Sequence, residues 1–267
     1  MADMTTCALL MALIVGNTRL HWGLFDGQTL VGTRHTPHLV TVRDVQALMA
    51  GGFSYPDQRR PQSLWVASVV AEQTALCLKA PLACYVVERS RLPLANLYPT
   101  LGIDRAINLL GAKERIGWPA LVIDAGTALT FTAGVDKAGQ SGVYGGAILP
   151  GMRLQGEALR SGTAALEEAV VHSQNAFRQG ALPSRWACDT SEAIASGLIY
   201  STLAILVDTL TDWWETFPAG KAVLTGGDGP RLHYFLRQKT PEIASRVFVD
   251  SELMFYGMSA YCQSLVA

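Results

Sequence analysis

The chain has 267 residues and a formal net charge of −1, enough length for one large domain or two modest ones with ample core. A near-neutral chain with no basic tract excludes nucleic acid as an expected partner. Its five cysteines, an odd number with no C-x-x-C pair, predict reduced, mostly buried thiols in a cytosolic protein and argue against a disulfide framework or a cysteine metal site.

The first apolar run, Cys7 to Val15, is too short to span a bilayer. It lacks a basic leader and a cleavage site, so neither a signal peptide nor membrane attachment is expected. Met11 to Phe25 reads MALIVGNTRLHWGLF. An apolar run is followed by Gly16-Asn17-Thr18, and then Leu20, Trp22 and Leu24 alternate with Arg19, His21 and Gly23, which predicts strand, turn, strand. Asp26-Gly27 marks the next turn, and Thr29 to His35 a third strand. Thr41-Val42-Arg43-Asp44 has the form of a capping box for a helix through Met49, ended by Gly51 and Gly52. Tyr55 to Gln62 reads as a polar loop, Leu64 to Val70 as a buried strand, Ala71 to Lys79 as a helix and Ala83 to Val87 as a strand.

Gly102-Ile103-Asp104-Arg105 opens a helix to about Ile116. An aspartate in a first turn is explained by the helix dipole alone, but a cation there is disfavoured. Arg105 therefore points to an anionic ligand or a paired carboxylate.

Leu121 to Phe131, LVIDAGTALTF, repeats the strand-turn-strand design. Its turn carries Asp124, Gly126 and Thr127. Glycine lets the backbone approach a ligand, and exposed N–H groups with a hydroxyl can hold phosphate oxygens. Aligning Gly16 with Gly126 sets Ile14 opposite Asp124 and Thr18 opposite Ala128. Beyond this, Asp136 to Gly142 reads as a hairpin loop. Gly145 to Gly151 (GGAILPG) reads either as backbone that turns sharply or lies against a ligand, or as a strand end with a bulge. Met152 to Leu159 is expected to be helical, and His172 to Ala187 a polar loop. Asp189 to Glu192 caps a long apolar helix to about Trp214. Its apolar residues Ile194, Leu198, Leu203, Ile205, Leu206 and Leu210 exceed what one core face needs, which predicts a homodimer contact. Lys221 to Leu224 is a strand, and Thr225-Gly226-Gly227-Asp228-Gly229 a turn that can lie on a flat ligand such as adenine. A helix from Pro230 to Gln238, a strand at Val247 to Val249 and a closing helix from Ser251 to Leu265 complete the chain. The closing helix carries Leu253, Met254, Met258 and Tyr261 on one face.

Two strand-turn-strand units of one design resemble the plan of the sugar kinase, Hsp70 and actin superfamily. That resemblance implies an α/β fold of two similar half-domains of the actin-like ATPase (ribonuclease H-like) type around a central cleft. The expected halves are residues 1–116 and 117–267. The ordered motifs V-G-N-T at 15–18, G-I-D-R at 102–105, D-A-G-T at 124–127, G-G-A-I-L-P-G at 145–151 and T-G-G-D-G at 225–229 resemble type III pantothenate kinase over nearly the whole chain.

This second resemblance implies ATP-dependent phosphorylation of pantothenate to 4'-phosphopantothenate, the first step of coenzyme A synthesis. Asp104 is then the general base. Tyr98, Gly102, Ile103, Asp104, Arg105 and Thr190 bind pantothenate, with Arg105 facing its carboxylate. Ile14, Val15, Gly16, Asn17, Thr18, Arg19, Leu20, His21, Thr127, Gly226 and Gly227 bind ATP with its Mg2+. Asp124 binds a monovalent cation, K+ or NH4+. A cytoplasmic homodimer is implied, with the pantothenate pocket completed across the subunit interface. The chain departs from the pattern twice. The family's first motif is D-x-G-N-T, and Ile14 stands at the acid; Ile14 cannot bind a cation. His21 stands where a lysine usually follows. A catalytically impaired member acting as a binding or regulatory protein is thus the alternative reading, and a kinase of another small alcohol a third.

Overall fold

In the computed structural model, the structure describes residues 9–53, 59–80, 83–163, 165–178 and 180–265. Cys7 and the first half of the loop expected at Tyr55 to Gln62 lie outside them. Contacts group the described residues into two compact units: unit 1 within 1–115, 140–142 and 253–267, and unit 2 within 116–139 and 143–252.

Unit 1 begins with β1 (Leu9–Val15), β2 (Leu20–Asp26) and β3 (Thr29–Thr36), an antiparallel meander. Then come α1 (Val42–Gly51), β4 (Ser63–Ser68), α2 (Ala71–Leu78), β5 (Ala83–Val86) and α3 (Ile103–Ile116). The sheet order is β3-β2-β1-β4-β5, with β4 parallel to both β1 and β5. The capping box at α1 forms as expected: Asp44 Oδ2 accepts from the Thr41 N–H at 2.7 Å. The backbone N–H groups of Thr41 and Val40 also hold the Asp44 carboxyl below its ordinary pKa. Every β1 residue is buried. Its Leu9, Met11, Leu13 and Val15 share one core with Leu20, Trp22, Leu24, Val45 and Cys77. Burial pushes the Cys77 thiol up to about 12, which makes it an inert core thiol.

Unit 2 repeats the order. β6 (Ala120–Ala125), β7 (Ala128–Lys137) and β8 (Gln140–Pro150) precede α4 (Met152–Gly162), α5 (Glu167–Arg178) and α6 (Thr190–Thr216). β9 (Lys221–Thr225), α7 (Gly229–Lys239), α8 (Pro241–Ala244) and β10 (Val247–Val249) follow. The sheet runs β10-β9-β6-β7-β8, with β6 antiparallel to β7 and parallel to β9. Read from the meander side, both units have the third, second, first, fourth, fifth order of the actin-like ATPase half-domain.

Three expectations change, and one reading left open is decided for a strand. His172 to Arg178 is not loop but the second half of α5, because Val170 and Ser173 supply a buried face at helical spacing. The glycine-dense stretch from Gly145 is extended β8 running through Pro150, an edge strand with Tyr144 and Ile148 exposed. The apolar surplus on α6 is largely spent inside its own unit. Ile194, Leu203, Leu206 and Leu210 are buried, the last three against Ile123, Phe131 and Leu224, although the helix is long and apolar enough to cross a bilayer. The closing helix α9 (Leu253–Ser264), expected in the second half, packs in unit 1. A Cβ at Gly257 would collide with the Ile107 carbonyl, and one at Gly111 with that of Leu253. Two facing glycines thus let α9 and α3 touch along their backbones, and Tyr261 Oη accepts from the Glu88 N–H at 3.2 Å.

Candidate active site

In unit 1, α3 starts at Ile103, so Gly102 precedes its first turn and Asp104 and Arg105 lie within it. Asp104 Oδ1 accepts from the Arg105 N–H at 2.9 Å, which turns the carboxylate back over the helix start. A Cβ at Gly102 would collide with that oxygen, so the glycine is required by the carboxylate's position. Arg105 is buried, with 7% exposure, and its Nη1 donates to Tyr98 Oη at 3.0 Å. A buried guanidinium needs polar partners, and the tyrosine supplies one. Tyr98 closes a turn in which the Leu101 N–H donates to its carbonyl at 3.0 Å. Arg89 also donates to the Pro99 carbonyl in that turn. The structure thereby brings together Tyr98, Gly102, Asp104 and Arg105.

The first strand-turn-strand of unit 1 closes with the Gly16 N–H on the Arg19 carbonyl at 3.0 Å. Asn17, Thr18 and Arg19 are exposed, and Leu20 is buried in the core. Ile14 pairs in register with His21, and His21 with His35. His21 Nδ1 and His35 Nδ1 are 2.8 Å apart, with the rings edge-to-face at 4.8 Å between centroids. His38 Nε2 lies 2.8 Å from the Gly16 carbonyl oxygen. Burial, then His35 and Arg19, bring the His21 pKa down to about 4, so the imidazole is neutral at pH 7.

In unit 2 the equivalent turn is one residue shorter. Ala125 pairs with Leu129 across three residues, whereas Val15 pairs with Leu20 across four. Asp124 is the penultimate residue of β6, as Ile14 is of β1. The turn is wedged from two sides. The Gly151 N–H donates to the Thr127 carbonyl at 3.0 Å, and a Cβ at Gly151 would strike the Gly126 carbonyl. From the other side the Asp228 N–H donates to the Ala125 carbonyl at 2.9 Å. Gly226 has φ +83°, and a Cβ there would collide with Asp124 Oδ1 and lie 2.6 Å from the Ala125 oxygen. Only glycine combines that dihedral with that proximity.

A family model described as type III pantothenate kinase matches residues 10–212. The chain belongs to the type III pantothenate kinase family. Among curated relatives, the type III pantothenate kinase of Nostoc sp. (strain PCC 7120) is 40% identical, covering 96% of this chain and 94% of its own. That of Synechocystis sp. (strain PCC 6803) is 39% identical over 94% and 89% of the two chains. Among solved structures, the ethanolamine utilization protein EutJ of Carboxydothermus hydrogenoformans superposes with a TM-score of 0.56 at 12% identity, over 95% of this chain and 89% of that one. Component A of (R)-2-hydroxyglutaryl-CoA dehydratase from Acidaminococcus fermentans gives 0.53 at 12% identity, over 97% and 99%. These two likenesses show the fold.

Ile14 and His21, the two positions where the sequence departs from the resembled pattern, are direct cross-strand partners. Thr190 is the first residue of α6 rather than its cap; Asp189 caps, its Oδ1 accepting from the Glu192 N–H at 3.1 Å.

Three features were missed in the sequence. Gly151 closes on the D-A-G-T turn, a contact no local pattern signals. His35 and His38 reach the first turn from β3 and the segment after it; the cross-strand register was the available signal for His35. Finally, a cavity of about 210 Å³ opens beside α4, α5, α6 and α7, lined by Met152, Arg153, Gly156, Val170, Asp228 and Arg231 among others. Burial raises the Asp228 pKa, against the opposing pull of Arg231 and Arg153.

Proposed function

We propose that the chain phosphorylates pantothenate at the expense of ATP, giving 4'-phosphopantothenate and ADP, the first step of coenzyme A biosynthesis. The observation that carries this reading is the start of α3, where Asp104 is held beside Arg105 and Arg105 is held by Tyr98. Arg105 faces the substrate carboxylate, and Tyr98, Gly102, Ile103 and Thr190 complete the recognition. Asp104 takes the hydroxyl proton as the hydroxyl oxygen bonds to the γ-phosphorus and the β–γ bridging oxygen leaves with ADP. Phosphoryl transfer asks mainly for positioning and charge neutralisation. Gly16, Asn17, Thr18 and Thr127 hold phosphate oxygens. Gly226 and Gly227 lie against the adenosine, whose base has room in the cavity beside Asp228.

Asp124 Oδ1 and the Ala125 carbonyl both crowd the position a Cβ on Gly226 would take. Oxygens converging in this way suit a hard cation. Asp124 and its neighbouring carbonyls hold a monovalent cation, potassium or ammonium, whose charge offsets that of the phosphates. Among the described residues no group of three His, Cys, Asp or Glu side chains is built to hold a metal. Magnesium comes with ATP, and phosphate and water oxygens supply most of its ligands. A cytoplasmic homodimer is the proposed state. The free thiols of Cys77, Cys84, Cys188 and Cys262 fit a reducing compartment.

The test is direct: purified protein with ATP, magnesium, potassium and pantothenate, product followed by mass, and light scattering for the dimer. A mass gain of one phosphate on pantothenate is expected. Its absence at every ATP concentration, with product restored in Ile14→Asp, would mark a natural pseudokinase instead.

A further inference from the structure

Beside the first turn, His21 on β2 faces His35 on β3, and the kinase reading uses only His21. His21 Nδ1 and His35 Nδ1 face each other at 2.8 Å. At that distance one nitrogen donates and the other accepts, so the neutral pair has two arrangements. In one, His21 carries its proton on Nδ1 and its Nε2 is bare. In the other, His35 Nδ1 donates, and His21 carries its proton on Nε2. That second nitrogen lies toward the turn: a Cβ built on Gly16 would have His21 Nε2 at 4.0 Å. A phosphate on Gly16-Asn17-Thr18 repels a bare nitrogen and accepts from an N–H, so it selects the second arrangement.

We propose that His35 is a positioning residue for the nucleotide: its Nδ1–H fixes His21 as the Nε2–H form facing the phosphates, and nucleotide binding draws a proton from solvent onto His35 Nε2. This rests on reading the first turn as a phosphate turn. The surroundings agree. His35 is exposed and can exchange protons with water, whereas His21 is half-buried. Among the described residues, Arg19 and His38 are further ionisable groups at the turn. β1 presents only Ile14, so no carboxylate on that strand neutralises the pair. His38 Nε2 is occupied at the Gly16 carbonyl. Without an anion, burial, then His35 and Arg19, keep His21 neutral. Bound phosphate reverses the sign of the local field and makes room for one positive charge shared by the two rings.

Calorimetric titration of the full chain with MgADP, in buffers of different ionisation enthalpy from pH 6 to 8, reads the proton directly. The wild type is expected to take up a fraction of a proton within this range, with tighter binding at pH 6 than at pH 8. His35→Phe should lose the uptake and weaken MgADP roughly tenfold, the scale of one charge-assisted hydrogen bond. His35→Gln, whose amide N–H can still donate to His21 Nδ1, should recover most of the affinity without uptake or pH dependence. A merely structural His35 would not separate those two readouts. Binding without proton uptake in the wild type, or identical behaviour of all three proteins, overturns the proposal and leaves the kinase reading standing. No MgADP binding at all overturns both.

Discussion

The two sheets share one strand order and differ at one matching position. β1 ends in Ile14-Val15 and β6 in Asp124-Ala125. In unit 2 the acid stays on the strand, and the turn beside it is clamped by Gly151 and Asp228. In unit 1 the matching position is Ile14, the turn is one residue longer, and His21 and His38 lie beside it in place of the clamps. The acid of unit 1 lies instead at the start of α3, as Asp104. A repeated fold thus fixes where a turn can meet a ligand, while the chemistry at each turn is free to diverge.

Removing each unit's acid tests that division most strongly. Asp104→Asn keeps the shape and removes the base, so turnover at saturating substrates should fall about 10²–10⁴-fold, the usual worth of a positioned general base. Near wild-type turnover would refute its role. Asp124→Ala should lower turnover roughly 10–100-fold, in line with the ~1.5–3 kcal/mol of a charged contact. It should also abolish the response to potassium. Full rate in sodium alone, or a surviving potassium response, would mean that the second turn is not the cation turn.

The clamps can be tested by stability. Gly226→Ala forces a side chain onto positive φ and into Asp124, and about 1–3 kcal/mol should be lost on the scale of strained backbone positions. The matching change in unit 1, Gly16→Ala, meets the Arg19 carbonyl at 3.3 Å and His21 Nε2 at 4.0 Å, and should cost under about 1 kcal/mol. Urea midpoints of the two variants give the comparison, and equal losses would show that the turns are equally constrained. The smallest effect is expected for Ile14→Asp. Magnesium takes only one or two protein carboxylates, so an aspartate at this buried strand end should lower the KM for ATP by roughly a few-fold, with kcat little altered. Titration of ATP at fixed pantothenate measures it.

Much of this was legible in the chain itself. Period-two alternation around Gly16 and Gly126 fixed both meanders, because a strand with one buried face must alternate. The misplaced cation at Arg105 marked the α3 start, because a helix N-terminus disfavours positive charge unless something answers it. The chain by itself also determined the order of the motifs, and with it the family. The tertiary structure alone decided which distant segments serve those motifs. Gly151 against Thr127, Asp228 against Ala125 and His35 against His21 all join residues whose nearness depends on sheet register and strand order. Two errors share that origin. α5 looked like a polar loop because Val170 and Ser173 become a core face only when α6 lies beside them. The apolar side chains of α6 looked surplus because the sheet that buries Leu203, Leu206 and Leu210 is assembled from β6, β7 and β9, strands spread over a hundred residues of chain. Local pattern is set by the backbone's own periodicity, whereas burial depends on which surfaces the fold brings into contact.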